Sequence, residues 1–195
     1  MIDLVALLYN RALQDYNNHH RNSGTVWVSA LTQCPLKWRY AIQYPELATA
    51  QFFSGSFEIG KLVHQGIQSI LSETFDQVRI EVELEKVVDG ITVKGRADAI
   101  VADTVIEIKY ARSDRNIPHS HHVDQLKIYM NLASKPFGVL FYVTPERVVQ
   151  YNFADPLPDS ILLDMVRKFR AGSPAPRFPW ECQYCPFRRI CPAAR

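Results

Sequence analysis

A change of hydrophobic period partway along the chain predicts an α/β fold, a sheet packed against helices. Leu62, Val63, Ile67, Ile70, Leu71 and Phe75 recur at helical spacing. From Val78 the period falls to two, with Val78, Ile80, Val82 and Leu84 alternating with Arg79, Glu81, Glu83 and Glu85. Asp89-Gly90 then marks a tight hairpin turn. With 195 residues, 47% of them hydrophobic, a single domain with a sizeable core is expected over 1–195.

The elements follow in order. Residues 2–18 form an amphipathic helix and 57–75 a second. Two strands surround Asp89-Gly90, a third covers 104–110, and a helix runs over about 119–134. Strands at 138–143 and 147–153 and a helix at 159–171 complete the order before a Pro-rich, irregular tail, "GSPAPRFPWECQYCPFRRICPAAR". No apolar run reaches the roughly 20 residues that span a bilayer. The start "MIDLVALLYNRALQDYNNHH" lacks the basic flank and cleavage site of a signal peptide, so a cytoplasmic protein is expected. A net charge of +2 permits a polyanionic partner without requiring one.

The segment "GRADAIVADTVIEIKY" threads Asp98, Glu107 and Lys109 through core-like strands. A turn at Ala102-Asp103 sets Asp98 opposite Glu107, with Lys109 on the same face and Ala97, Ala99, Ile106 and Ile108 on the other. The earlier hairpin, in its simplest register, brings Glu81 beside Asp98 and Glu83 beside Arg96. Opposed carboxylates destabilise a sheet unless a cation, a shared proton or water relieves them. A hard divalent metal suits the arrangement best. The ordinary alternative is a solvated face on which Asp98 pairs with Arg96 or Lys109.

Four cysteines make a second candidate site: Cys34 far from the group Cys182, Cys185 and Cys191. Disulfides are disfavoured in a non-secreted chain. Four-thiolate zinc and iron-sulfur ligation both remain, because spacing does not choose the metal.

An Asp, a turn and Glu-x-Lys on the next strand resemble the PD-(D/E)XK nuclease motif. Gln125 and Tyr129 resemble the QxxxY element of its RecB-like branch, and His64, four residues after Gly60, its GxxxH element. Together with "SALTQCP" and the cysteine triad, over residues 29–192, the order resembles the CRISPR-associated exonucleases of the fourth Cas family, RecB-like nucleases with an iron-sulfur cluster.

The resemblance implies a restriction-endonuclease-like fold, a mixed central sheet flanked by helices. It implies Mg²⁺ or Mn²⁺ held by His64, Asp98, Glu107 and the Ile108 carbonyl. Lys109 would orient or activate the attacking water, and Gln125 and Tyr129 would orient Lys109 or the DNA backbone. Cys34, Cys182, Cys185 and Cys191 would hold an iron-sulfur cluster, 4Fe-4S being favoured over 2Fe-2S, in a subdomain built from about 25–56 and about 172–195. The implied activity is exonucleolytic cleavage of single-stranded DNA, 5′ to 3′, with internal cutting as a second mode, in spacer processing alongside the CRISPR integrase proteins. No helicase motif accompanies these elements, so a stand-alone nuclease is expected. A RecB- or AddB-like repair nuclease is the nearest alternative, and a non-catalytic, zinc-stabilised DNA-binding module the alternative from another class.

Other residues leave two readings open. Arg96 contacts phosphate or pairs with Glu83, and His119, His121 and His122 flank the site without a cofactor. Trp38, Arg39, Tyr40, Trp180, Phe187, Arg188 and Arg189 line a single-strand channel bounded by the sheet, the N-terminal helices and the tail, or shield the cluster. One measurement separates the metals: iron bound by thiolates absorbs near about 400 nm, whereas d¹⁰ zinc does not. The purified protein should be brown, and an anaerobic preparation that is colourless and holds stoichiometric zinc would overturn the cluster.

Overall fold

A computed structural model describes residues 2–18, 24–49 and 52–195. Helix α1 covers Leu4–Asn18, and strand β1 (Thr25–Trp27) leads into α2 (Val28–Leu31), α3 (Pro35–Gln43) and α4 (Pro45–Thr49). The long helix α5 spans Gly55–Thr74, with Ser54 as its N-cap accepting from the Phe57 amide. Strands β2 (Val78–Val88), β3 (Ile91–Val101) and β4 (Thr104–Tyr110) follow. Then come α6 (Ser120–Leu132), β5 (Phe137–Val143), β6 (Val148–Ala154) and α7 (Asp159–Ala171). A 3₁₀ turn at Pro179–Tyr184 lies among the cysteines. The expected helices and strands are present within two or three residues of their predicted bounds. The short elements between Thr25 and Thr49 carried no legible period.

The sheet is mixed. β2 pairs antiparallel along the whole of one edge of β3, through the turn at Asp89 and Gly90, both at positive φ. The opposite edge is shared. β1 runs parallel to Thr92–Lys94, while β4 runs antiparallel to Ala99–Val101. Between these two stretches, Gly95 to Asp98 have no strand partner on that edge. β4 continues into β5 in parallel, and β6 closes the sheet antiparallel to β5. Helix α6 is the crossover that joins the parallel pair β4 and β5.

The expected register holds, but the expected faces do not. Ala99 opposes Ile106 and Glu83 opposes Arg96. Strict alternation would nevertheless put Ala97 with Ala99 and Ile108. Instead Ala97 joins Ile100, Val105, Leu126, Tyr129, Met130 and Leu140 in the main core cluster, to which Ala99 and Ile108 do not belong although both are fully buried. Four consecutive buried residues, Ala97 to Ile100, mark the change of face. On β2, Glu81 takes φ 52° in the left-handed region, and the pair it would make with Asp98 is missing from an otherwise continuous ladder. A local irregularity therefore reverses the inward face at the position of the acids.

The core packs closely around the gap in β3. A Cβ on Gly95 would stand 2.3 Å from Tyr129 Cε1 and 3.0 Å from Val28 Cγ2, so only glycine admits these buried neighbours. No helix among the described residues is long and apolar enough to cross a membrane. Gly95→Ala should destabilise the fold by about 1–3 kcal/mol, the usual cost of overpacking a well-filled core. Thermal melting checks this, and an unchanged melting temperature would show that the Tyr129 contact yields.

Candidate active site and thiol site

The gap in β3 determines where the charged residues sit. Where β3 and β4 part, the Ile108 amide loses its ladder partner and donates to Asp98 Oδ2 at 2.6 Å. The other oxygen, Oδ1, lies 3.0 Å from His64 Nδ1 on α5. Burial alone would lower the His64 pKa, but the hydrogen bond and charge of Asp98 carry it above its ordinary value. One helical turn further along α5, buried Gln68 donates to the Asp98 carbonyl at 3.1 Å and to Glu81 Oε1 at 2.6 Å. Arg96 pairs with Glu81 at 2.7 Å. Its partner is therefore not Glu83, which faces it only along the backbone ladder.

Glu107 is 2% exposed and accepts from Lys109 Nζ at 2.6 Å through Oε1. Its Oε2 is buried without a hydrogen-bond partner. Burial first, then the charge of Asp98, pushes the Glu107 pKa up to about 7. Lys109 Nζ also donates to Gln125 Oε1 at 3.0 Å, and Gln125 Nε2 donates to the Tyr129 hydroxyl at 3.0 Å. A backbone hydrogen bond from Arg96 reaches the same hydroxyl inside the gap. Tyr129 is buried and its pKa is raised, first by burial and then by Glu107. It therefore meets Lys109 only through Gln125.

Among the described residues, no three His, Cys, Asp or Glu side chains form a preformed metal cage. The donor chemistry nevertheless suits a hard divalent cation. An orphaned carboxylate oxygen lies near a second carboxylate and an imidazole, and the Lys109 ammonium, which bonds only the other oxygen, offsets the cost of burial in part. Beside the site opens a cleft of about 680 Å³. His64, Gln68, Glu81 and Lys109 line it, and Arg11, Lys61, Arg96 and Arg112 supply positive charge. Arg11, Lys61, Arg112 and Gln68 were not singled out from the sequence. Only Gln68 had a signal, its i+4 spacing from His64.

The four cysteines are free thiols that line one cavity of about 140 Å³. Burial raises the pKa of Cys34 and of Cys185. The donor set fits a thiophilic metal or cluster. The walls are fixed by protein contacts. Glu181 accepts from the Cys34 amide at 2.7 Å and from the Phe178 amide at 2.8 Å, while Arg177 donates to the Leu31 carbonyl at 2.7 Å and to Asp124 at 2.6 Å. The piece 25–56 of the expected subdomain is described except for residues 50 and 51.

The expected channel changes in its details. No residue of 177–191 lines the cleft. Phe187 is 1% exposed and packs on Tyr40, so it offers no face to a base. Arg39 donates to the Arg170 carbonyl, fastening α3 to the end of α7. Trp38 lines a cavity with Cys34 and Phe187, and Tyr40 and Arg188 line the thiol cavity, which fits shielding, whereas Trp180 borders the thiol cavity with 42% of its surface exposed. Arg189 is exposed. His122 Nδ1 lies 2.7 Å from the Tyr142 hydroxyl, whose pKa burial pushes up to about 12.

The PD-(D/E)XK nuclease superfamily model matches residues 70–192. The CRISPR-associated exonuclease Cas4 of Saccharolobus solfataricus is 36% identical over 97% of this chain and 98% of its own. The crystal structure of SSO0001 superposes with a TM-score of 0.94 at 36% identity, covering 100% of this chain and 98% of that one. An alkaline exonuclease from Laribacter hongkongensis shares the fold at a TM-score of 0.55 and 12% identity, over 76% of this chain and 86% of that one.

The buried carboxylate has a stability consequence. Folded Glu107 keeps its proton to about 7, against 4.5 for the ordinary group, so the folded state binds more protons between these values. Its contribution to stability is complete below about 4.5 and is lost as the pH rises through about 7. With no divalent cation added, Glu107→Gln should melt above the wild type at pH values beyond about 7, and the gap should close toward about 4.5. A gap independent of pH in thermal melts would show that burial does not raise the Glu107 pKa.

Proposed function

Since the chain belongs to the PD-(D/E)XK nuclease superfamily, and with the Cas4 exonuclease to one family within it, we propose that it is a divalent-metal-dependent exonuclease of single-stranded DNA. The observation that carries this reading is the continuous chain Glu107–Lys109–Gln125–Tyr129 beside Asp98 and His64, opening onto a basic cleft.

His64, Asp98, Glu107 and the Ile108 carbonyl are the groups that would hold Mg²⁺ or Mn²⁺. When bound there, such an ion polarises the scissile phosphate and lowers the pKa of water. The protein supplies the rest. Asp98 is fixed at both oxygens, by His64 and the Ile108 amide, so its carboxylate does not rotate. Two of the three Lys109 N–H groups are taken by Glu107 and Gln125, which leaves the third for the attacking water or a phosphate oxygen. As water attacks phosphorus and the bond to the departing sugar oxygen breaks, negative charge builds on the phosphoryl oxygens within reach of that ammonium. Arg11, Lys61 and Arg112 attract the backbone into the cleft.

The identity to a CRISPR-associated exonuclease supports a role in CRISPR systems, and we propose from the sequence resemblance a cytoplasmic enzyme of spacer processing with 5′ to 3′ polarity and the CRISPR integrase proteins as partners. The four thiols would hold an iron-sulfur cluster, which ties the segment 177–191 to α3. Lys109→Ala should lower cleavage by about 10² or more while the melting temperature and DNA affinity persist. Kinetics on DNA labelled separately at each end checks this. Wild-type rates in the variant would remove Lys109 from the chemistry, and stable binding by the wild type without cleavage in Mg²⁺ or Mn²⁺ would favour the binding-module alternative.

A further inference from the structure

Three histidines within four residues have no evident use in the chemistry above, and their packing is costly. His119, His121 and His122 crowd the start of α6, with ring centroids 4.1 Å apart for the closest pair, His121 and His122. Imidazoles packed this closely repel one another when charged, and burial disfavours the charged form further. Burial first, then His119, pushes the His121 pKa down to about 4, and burial likewise lowers that of His122. A core at this place would be better filled by aliphatic side chains. Flat rings that remain partly open to water are what the sequence keeps there.

The rings are ordered. His119 and His121 lie nearly parallel, at 13° and 5.6 Å, and His121 meets Trp180 at 5.3 Å. Trp180 and Phe178 are again nearly parallel, at 11° and 5.8 Å. Trp180 is 42% exposed, and the Arg177 guanidinium lies over the Phe178 ring at 5.6 Å. The array thus crosses from the first turn of α6 to the cysteine-bearing segment. Its inner end is near the site: the charge of Lys109 acts on both His121 and His122, and Gln125 is one turn along the same helix.

We propose that His119, His121, Trp180 and Phe178 form a base-stacking subsite, which holds nucleobases of a single strand whose backbone passes Lys109; this rests on the nuclease reading above and adds where the strand lies. Neutral rings stack on bases of any sequence, whereas the basic cleft beyond Lys109 takes phosphates, so the two surfaces divide the strand between them. The subsite requires unpaired bases, which selects single strands over duplex.

The test compares an oligothymidylate with a strand of the same length carrying abasic units, bound without added divalent cation to the wild type, His121→Ala and Phe178→Leu. Each variant should bind oligothymidylate more weakly by about 5-fold or more, and the abasic strand as the wild type does. In cleavage, KM should rise while kcat holds, which a loss of structure would not produce. His121→Phe, which keeps a ring face, should restore binding. Oligothymidylate bound as tightly by His121→Ala as by the wild type, or a wild type indifferent to missing bases, would overturn the subsite. Failure of the nuclease reading shows separately, as a wild type that does not cleave while the binding comparison is still read.

Discussion

The hydrogen bond from the Ile108 amide to Asp98 organises the site. A β-ladder cannot stop without orphaning backbone groups, and buried orphans are costly. At the gap in β3 the orphaned amide is given to a carboxylate. That bond lets β4 leave β3 after the first three of its seven residues, and the leaving strand then turns Glu107 and Lys109 toward α6. Tyr129 fills the other half of the gap, with its ring against Gly95 and its hydroxyl bonded at Arg96. Site and split are one construction: the charges sit where the sheet opens, and the opening is stable because side chains replace the ladder.

The same construction explains what could be read from sequence. Alternation and a turn at Ala102-Asp103 sufficed to set the register of β4 on β3, although the ladder ends at Ala99 and Ile106, one pair short of Asp98 and Glu107, and the i+4 pair of Gln125 and Tyr129 lies on one face of α6 as helical geometry requires. What failed was the assumption that alternation continues through residue 98. A reversal of face depends on the left-handed conformation of Glu81, and glutamate carries no local signal for it, unlike the Asp89-Gly90 turn. Arg11, Lys61 and Arg112 were likewise illegible, because they converge only through the packing of α1 and α5 around the cleft. The four cysteines were legible as a set, since thiols are few and chemically specific. The clamps that hold them were not, because a glutamate that caps two amides 147 and three residues away looks like any surface acid.

The site also sets stability against chemistry. An orphaned oxygen on Glu107 and two acids at one strand opening are arrangements that a protein selected for stability alone would remove. Their surroundings restrain them instead. His64, Lys109 and Gln125 each contribute hydrogen bonds to a group that would otherwise relax toward solvent. The arrangement therefore stays in place before any substrate arrives.

The clamp made by Glu181 and Arg177 bears on how the chain is made. Glu181 bonds to Cys34 across 147 residues, and Arg177 to Leu31 across 146. During synthesis Cys34 leaves the ribosome while its three companion thiols are still unmade, at translation speeds of about 5–20 residues per second. For several seconds, therefore, α3 has no docking partner and presents a lone thiol. Closing so long a loop carries an entropic cost that grows only slowly with length, so the delay is one of timing more than of energy. The sheet, built from residues 25–27 and 78–154, can fold within that interval. The thiol site, by contrast, closes only once residues 182–191 are made, so the order of synthesis lets the sheet stand before the thiols meet.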